Sequence, residues 1–588
     1  MSSAPRAEEL CAAYLAAPLR AVQQELPWET CSVQAVLSIL QRNKVPLLGL
    51  QETEANQTIL NEPFFQSARQ LEAAQLDGQR SEYRLVREAL ASQGIVGVFI
   101  KSVGLSPTFP YKSDNLDVLY HPQEVEQIRA TLLGMDYVEL RNVEEPHKYL
   151  FRKFHAGRSV SAIHVHAHVG WMVSFLDEEA LWKRCGPAPD DPLALIPAPE
   201  DALLTTLAHL FYEDKRVTLQ DLAKLEQCLR RGIRWDEVHR IAAWRGWEDG
   251  LQAVLLLCAN QERALYGSSL FPEEVLQRAA RECPHWAYAQ VERLSASEAL
   301  RQGARGMPLS IPFVFSKAFF YRKLLRDPSR KFMQRSKDLL LHTGYGVKLR
   351  LHIHSQPRML VTFSGVDGSG KTTQAEALLS AFQTCHLRAQ RVWSRGGSAS
   401  WIGWLTGRRQ RVPVSGTAKD RVRARQTRFR SPWLRWGWSW LTTLELLWEY
   451  ALRIALPLCL GRVVIADRYL FDTLADWGAY FGEESVEKRS AARLLRGLSP
   501  RPAVAFLLDL PSAVAQSRSS DGLPTEFLEA QSATYRRLAS ALRLERLDAT
   551  RGREELADEI VAKVLRSYFA DYHTVLNALF LKNPGQWR

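Results

Sequence analysis

The run Gly365-Val366-Asp367-Gly368-Ser369-Gly370-Lys371-Thr372 has the residue types and the spacing of a loop that wraps a phosphate. It fits G-x-x-x-x-G-K-[ST], in which the glycines let backbone N–H groups close on phosphate oxygens without a side chain in the way. Lys371 then reaches the β- and γ-phosphates, and Thr372 offers a hydroxyl ligand to magnesium. Thr373 belongs to the helix that starts here and presents its positive end to the same anion. A chance match of this pattern is rare at the usual glycine frequency of ~7%. Binding of ATP or GTP is therefore expected, with Mg2+ as the accompanying ion.

A second set of candidates lies about a hundred residues downstream. Asp467 ends the apolar run Val463-Val464-Ile465-Ala466, which puts it at the carboxyl edge of a sheet, where open α/β folds bind their ligands. Its expected role is to position magnesium or the acceptor. Arg468 follows it, and a guanidinium fork matches phosphate oxygens and stays charged when dehydrated. A purely structural Asp–Arg pair is the alternative.

The elements that must position these groups can be read around them. Met359 to Phe363, Val463 to Ala466 and Val504 to Leu508 are short apolar runs alternating with helical segments, the pattern of buried parallel strands in a doubly wound α/β sheet over residues 358–588. Upstream, residues 1–93 read as helical, with apolar positions at helical spacing from Val33 to Leu40 and from Tyr83 to Leu90. Residues 94–185 read as a small α/β domain, with strands at Ile95 to Ile100, Leu116 to Tyr120 and Ala162 to Val169 around a helix at Glu124 to Leu133. Gly186 to Pro199, rich in proline and acid, reads as a linker into helices of the 186–300 region. Residues 301–357 form a basic connecting segment. There Lys317, Arg322, Lys323, Arg326 and Arg330 interleave with aromatics, as a solvated helical face or as an anion-binding surface.

Length and composition bound the rest. A chain of 588 residues exceeds one ordinary core, and 46% hydrophobic with 24% charged residues excludes wholesale disorder and a polytopic membrane protein. The formal charge of +12 favours anionic partners. Small-molecule nucleotides are the expected ones, an anionic surface or polymer bound by the basic segments and a homodimer stay open, and no firm nucleic-acid or membrane signal is present. The most apolar stretch, Trp436 to Leu460, carries Glu445, Glu449 and Arg453 on one helical face, so it reads as a buried or partner-facing helix before a membrane-contacting one. Eight cysteines without a C-x-x-C pair, and an N-terminus lacking a basic-then-apolar leader, make a reducing cytoplasm the expected compartment.

Gly365 to Gln374 is similar to the phosphate loop of the thymidylate kinases, and Asp467-Arg468-Tyr469 to their D-R-Y element. Leu508-Asp509-Leu510 with Arg518 and Glu526 resembles their strand and short lid, and Leu547-Asp548-Ala549 their last strand, so the likeness spans about Met359 to Ser567. It implies a P-loop kinase fold and an ATP- and Mg2+-dependent transfer of phosphate to a nucleoside monophosphate, dTMP in the first instance. Lys371, Asp467, Arg468 and Arg518 would be catalytic. Residues Gly365 to Thr373 would bind the donor, and Asp367, Arg395, Arg468, Tyr469 and Asp472 the acceptor. Thr372 and Asp467 would hold the metal. The chain departs from the family at Asp472, where a serine is usual nearby, and at Asp476 and Trp477, where a Tyr-Gln pair helps form the base pocket. Between Arg408 and Arg430 the basic residues Arg409, Arg411, Lys419, Arg421, Arg423, Arg425 and Arg428 form either a solvated loop or a clamp on an anionic acceptor.

Val98 to Ser102, Pro110-Tyr111 and Ser113 to Leu119 resemble the nucleotidyltransferase superfamily, in particular its uncharacterised bacterial branch. The resemblance implies a strand carrying two carboxylates that hold magnesium. Asp117 stands at the second position and Asn115 at the first. Asp114 points to the opposite face unless a bulge re-aims it. His164, His166 and His168 alternate along one face of a later strand, as a polar face, a remodelled pocket or a zinc site. Two further readings stay open: a bifunctional nucleotidyltransferase and kinase, and a non-enzymatic nucleotide-gated switch with an anionic partner.

Overall fold

The computed structural model describes residues 7–17, 31–50, 57, 59–101, 115–141, 148–169, 173–188, 191–295, 307–350, 358–394, 418–518 and 522–580. They form two compact units, one of residues 1–152 and 160–353 and one of residues 153–159 and 354–588. Among the described residues no helix is long and apolar enough to cross a membrane.

The first unit is built on a mixed seven-stranded sheet. Its strands are β1 (Val98–Phe99), β2 (Leu116–Leu119), β3 (Val138–Arg141), β4 (Lys148–His155), β5 (Arg158–His166), β6 (Gly186–Ala188) and β7 (Asp191–Ile196), in the order β3-β4-β5-β2-β1-β7-β6. Side chains of successive strand residues point to opposite faces. Val118 accordingly packs with Val86, Leu90, Ile128 and Leu132 of the helices Pro63–Ala91 and Val125–Gly134. Leu119 packs on the other side with a large helical core. The centre of that core is the helix Glu248–Tyr266, apolar around most of its girth and buried from Leu251 through Ala259.

Two expectations change here. Gly186 to Pro199 is not a linker: β7 runs parallel to β1, with the Leu195 N–H donating to the Gly97 carbonyl at 3.2 Å, and β6 closes the sheet as its edge. Proline is compatible with an edge strand, where its missing N–H would face away from the ladder, and Pro187 sits there. Asp191 adds a buried ion pair with Arg87. The basic stretch forms the helices Phe313–Arg326 and Phe332–Arg350, preceded by a small ribbon of β8 (Arg216–Val217) and β9 (Leu309–Ser310). Several of its cations are spent inside the unit: Arg322 and Arg326 on Asp249, Lys323 on Asp327 and Arg330 on Asp338.

The second unit holds a five-stranded parallel sheet of β10 (Met359–Ser364), β11 (Ala389–Trp393), β12 (Val463–Asp467), β13 (Val504–Asp509) and β14 (Glu545–Asp548), in the order β11-β12-β10-β13-β14. The apolar strands β10 and β12 are buried on both faces, as a sheet covered by helices requires. The chain builds β11 and β12 to one side of β10 and then crosses to the other for β13, so the strand order reverses where β10 and β12 lie side by side. The helix Pro432–Tyr450 buries Thr442, Thr443, Leu446 and Tyr450 and exposes Trp433, Leu444 and Trp448, so it is one-sided, with its apolar surface partly outward.

Candidate functional site

The reversal between β10 and β12 supplies the site's frame, since ligands of open parallel sheets bind beyond the carboxyl ends of the strands at such a point. β10 ends at Ser364, and the chain turns through residues 365–370 into the helix Lys371–Thr384. At Gly365 φ is +147°, and an added Cβ would come within 2.6 Å of the Leu508 carbonyl oxygen and 2.9 Å of the Ser369 hydroxyl. Gly370 caps the helix at φ +87°, a conformation L-residues resist. Sequence and backbone agree on a loop that only glycine can close. Ser369 Oγ is buried and has no hydrogen-bond partner among the described residues.

Lys371 is buried, with Nζ donating to the carbonyls of Gly365 at 2.7 Å and Val366 at 2.8 Å. Burial, and then the neighbouring Arg468, push its ammonium down to about 8 against the pull of Asp472, Asp367 and Asp467. Thr372 Oγ1 donates to Asp467 Oδ2 at 2.7 Å. A hydroxyl and a carboxylate so joined are two hard oxygen donors in one place, the donor set that magnesium takes beside nucleotide phosphates. Loop, lysine and oxygen pair thus fit a magnesium–nucleotide complex.

Arg468 begins the turn out of β12 with φ +84°, a strained conformation for a side-chain-bearing residue, and its N–H donates to the Phe363 carbonyl at 3.1 Å. Its guanidinium is bound to the Asp367 carboxylate of the loop. Burial would depress its basicity, but Asp472 and Asp367 outweigh this and hold the charge above its ordinary range. The strained backbone thus holds this cation against the glycine-rich loop of residues 365–370. Arg391 of β11, which sequence reasoning missed, adds a second guanidinium 3.7 Å from Asp467 Oδ2 and 3.0 Å from Glu376. Only its place on the strand next to β12 could have pointed to it.

Arg518 closes the short helix Ser512–Arg518 and donates to the Ala549 carbonyl at 3.1 Å, just past the carboxyl end of β14. Thr373 lies in the first turn of the phosphate-loop helix, and Gly368 and Val366 complete the loop. Arg395, Arg409 and Arg411 lie outside the described residues. Lys419, Arg423, Arg425 and Arg428 fall on the helix Ala418–Arg428, where Arg425 stacks over Tyr480 at 5.5 Å.

Two acceptor-binding candidates are engaged inside the unit. Asp472 is 2% exposed and fully engaged: Oδ2 accepts from Ser364 Oγ at 2.7 Å and from the Tyr469 N–H at 2.9 Å, and Oδ1 accepts from the Tyr535 hydroxyl at 2.8 Å. Its work is to tie β10, the start of the helix Leu470–Phe481 and the helix Thr525–Leu542 together. Tyr469 is buried, stacks on Tyr450 and donates its hydroxyl to the Pro500 carbonyl at 2.6 Å. Of the positions that depart from the thymidylate kinases, Trp477 is core, and Asp476 accepts from Gln531 Nε2 at 2.6 Å.

In the first unit, the parallel register of β2 on β5 sets Asp117 opposite His164. Asp117 Oδ1 lies 2.7 Å from His166 Nε2, 3.2 Å from His164 Nδ1 and 3.4 Å from Lys101 Nζ. Asn115 meets His164 Nδ1 at 2.9 Å. β5 ends at His166, and His168 turns away to within 3.9 Å of Glu178, so the three alternating histidines do not form one cluster. Ser102, Pro110, Tyr111, Ser113 and Asp114 lie outside the described residues.

Comparison with known proteins gives two kinds of likeness. Residues 35–261 match the family described as "Uncharacterised nucleotidyltransferase". The chain is also similar to the thymidylate kinase of Wolbachia sp. subsp. Brugia malayi (strain TRS), 27% identical over 168 residues, which are 28% of this chain and 70% of that relative. It is 28% identical over 165 residues to the thymidylate kinase of Wolbachia pipientis subsp. Culex pipiens (strain wPip), again 28% of this chain and 70% of the relative. The likenesses point to a transferase that handles nucleotides.

Proposed function

We propose that the second unit transfers the terminal phosphoryl group of ATP to a nucleoside monophosphate, with dTMP as the first acceptor to test. The observation that carries this reading is the hydroxyl–carboxylate pair of Thr372 and Asp467, held at 2.7 Å beside the buried Lys371 where the parallel sheet reverses. Assigning the thymidylate kinase likeness to this unit is part of the proposal, and the loop from Gly365 to Thr373 supports it.

The acceptor oxygen of a monophosphate is already anionic, so no general base is required, and the protein contributes alignment and positive charge. The loop N–H groups and Lys371 would hold the donor phosphates. Thr372 and Asp467 would hold magnesium, which neutralises phosphate charge when bound. Arg468, released from Asp367 as an anion arrives, would bridge toward the acceptor phosphate, a task that a bidentate guanidinium performs without losing its charge. Asp367 keeps that arginine in place between turnovers.

Nucleotidyl transfer by the first unit is the second reading, favoured by the family match over residues 35–261. Asn115 in place of an acid, and an Asp117 oxygen surrounded by two imidazoles and an ammonium, weigh against a magnesium-carboxylate pair there.

The test is ATP turnover by the full chain with magnesium, in the presence and absence of a panel of nucleoside monophosphates, compared with Lys371→Ala. Turnover that requires both a monophosphate and Lys371, at unchanged melting temperature, supports the kinase. Turnover indifferent to every monophosphate would favour the nucleotide-gated switch.

A further inference from the structure

We infer that Asp117, His164 and His166 form a binding site for one divalent transition-metal ion of the zinc class, in the first unit and independent of the phosphate loop. Each offers one ligand atom, and Asp117 Oδ1 lies 2.7 Å from His166 Nε2 and 3.2 Å from His164 Nδ1, close to the spacing of neighbouring ligands around one such ion. His164 and His166 share a face of β5 because they are two residues apart, and the parallel register brings Asp117 of β2 to that same face. The frame is rigid: both strands are central in the sheet, His166 is 1% exposed and Asp117 6%.

The donor set selects the ion. Two imidazole nitrogens and one carboxylate suit zinc and its first-row neighbours, whereas magnesium prefers oxygen donors throughout. Three protein ligands also leave a position open, the arrangement of a site that takes water or a ligand oxygen. Asn115 stands at the rim, and a half-turn of its amide would present the oxygen where the nitrogen now meets His164. Lys101 does not block the site. It lies 3.3 Å from Glu213 as well as 3.4 Å from Asp117, so Glu213 keeps the ammonium when an ion takes the aspartate.

His166 and Lys101 also line a small cleft with His209, Tyr212 and Glu213. His209 and Glu213 belong to a π-helical turn, His209–Asp214, that interrupts the chain after the helix Pro199–Ala208, and such turns recur at functional sites. An ion at Asp117 would thus sit beside a cleft that already carries a cation and an acid.

The experiment titrates Co2+, a visible probe for zinc sites, and then Zn2+ into the chelator-treated full-length protein, alongside Asp117→Asn, His164→Gln, His168→Gln and His239→Gln. Circular dichroism melting checks that each variant folds. Stoichiometric binding with the visible bands of a tetrahedral nitrogen–oxygen site is expected for the unaltered protein and for His168→Gln and His239→Gln. Loss of a direct ligand in Asp117→Asn or His164→Gln should weaken binding by roughly 100-fold or more, beyond the 10- to 100-fold typical of losing an outer partner. Absence of stoichiometric binding overturns the inference, as does binding that survives in both Asp117→Asn and His164→Gln. Loss only in His239→Gln would move the ion to the second candidate group, His239 with Glu248 and Glu282, and would equally overturn it. A folded Asp117→Asn that loses cobalt but keeps the kinase reaction separates this site from the proposed function.

Discussion

Thr372 and Asp467, ninety-five residues apart, are joined at 2.7 Å from the first turn of one helix to the end of a neighbouring strand. Neither residue packs a core through that contact, so the pair is expected to matter more for turnover than for folding. Thr372→Ala and Asp467→Asn should each lower kcat by about 10²- to 10³-fold, the usual consequence of deleting one preorganised electrostatic contact. Thermal unfolding of Thr372→Ala should change little, since a lost hydrogen bond is worth about 1 kcal/mol net. Steady-state kinetics at varied magnesium check this. Unchanged magnesium dependence in Asp467→Asn would remove the pair from metal binding.

Lys371 provides a pH signature. Its ordinary pKa of 10.5 is pushed down to about 8 by burial, so near pH 8 a sizeable fraction of the ligand-free protein carries it neutral. Donor phosphates favour the ammonium and raise its pKa, so nucleotide binding must take up protons around pH 8 and progressively fewer as pH falls below that value. Calorimetry of MgATP binding in buffers of different ionisation enthalpy should show net proton uptake at pH 8 that is much smaller at pH 6.5 and missing in Lys371→Met. Equal uptake in that variant would trace the protons elsewhere.

Asp472 should behave as a structural residue. With Ser364, the Tyr469 N–H and Tyr535 all donating to it, Asp472→Ala strands three buried donors, at about 1 to 3 kcal/mol for each group left unsatisfied. Tyr535→Phe removes one hydrogen bond to a charged acceptor and should cost roughly 1.5 to 3 kcal/mol. Denaturant unfolding measures both. The acceptor KM of Tyr535→Phe should stay within about twofold, a difference under 0.5 kcal/mol. A large KM rise without loss of stability would return Asp472 to the acceptor site.

These residues also mark how far a sequence can be read. The turn from β10 into the helix Lys371–Thr384 was legible because its requirement is local: glycines at fixed offsets, then a lysine at a helix start. Asp467 was legible because an apolar strand announces its own carboxyl end. Ser364 and Tyr535 were not, because they reach Asp472 from 108 and 63 residues away and meet only through the packing of strand on helix. The alternation of His164, His166 and His168 was visible. The end of the strand at His166, and the register that substitutes Asp117 for His168, depend on pairing with β2. Gly186 to Pro199 misled because proline and acid read as irregular chain, whereas the edge strand β6 tolerates Pro187 and Arg87 neutralises Asp191 on β7.

Under the proposed function, the acceptor preference follows from the state of Asp472, Asp476 and Trp477. Asp476 is bonded to Gln531, Trp477 is 2% exposed and stacks on Phe481, and Asp472 is committed to its three donors. Asp472 and Trp477 so placed are not available to a base, and Asp476 keeps only the acceptor positions that Gln531 leaves. A pocket built to pair with a particular base rejects the wrong one by ~10⁴-fold or more, because its buried polar groups are otherwise left unmatched, while shape alone discriminates by ~10- to 200-fold. The second range is the one expected here. Relative kcat/KM over dTMP, dUMP, dCMP, dGMP and their ribonucleotide counterparts should therefore spread over no more than about two orders of magnitude, with dTMP accepted but not exclusive. A preference for dTMP of ten-thousand-fold would require hydrogen-bonding groups beyond those named here to read the base. Rejection of the entire panel, with ATP still bound, would point instead to a larger anionic acceptor.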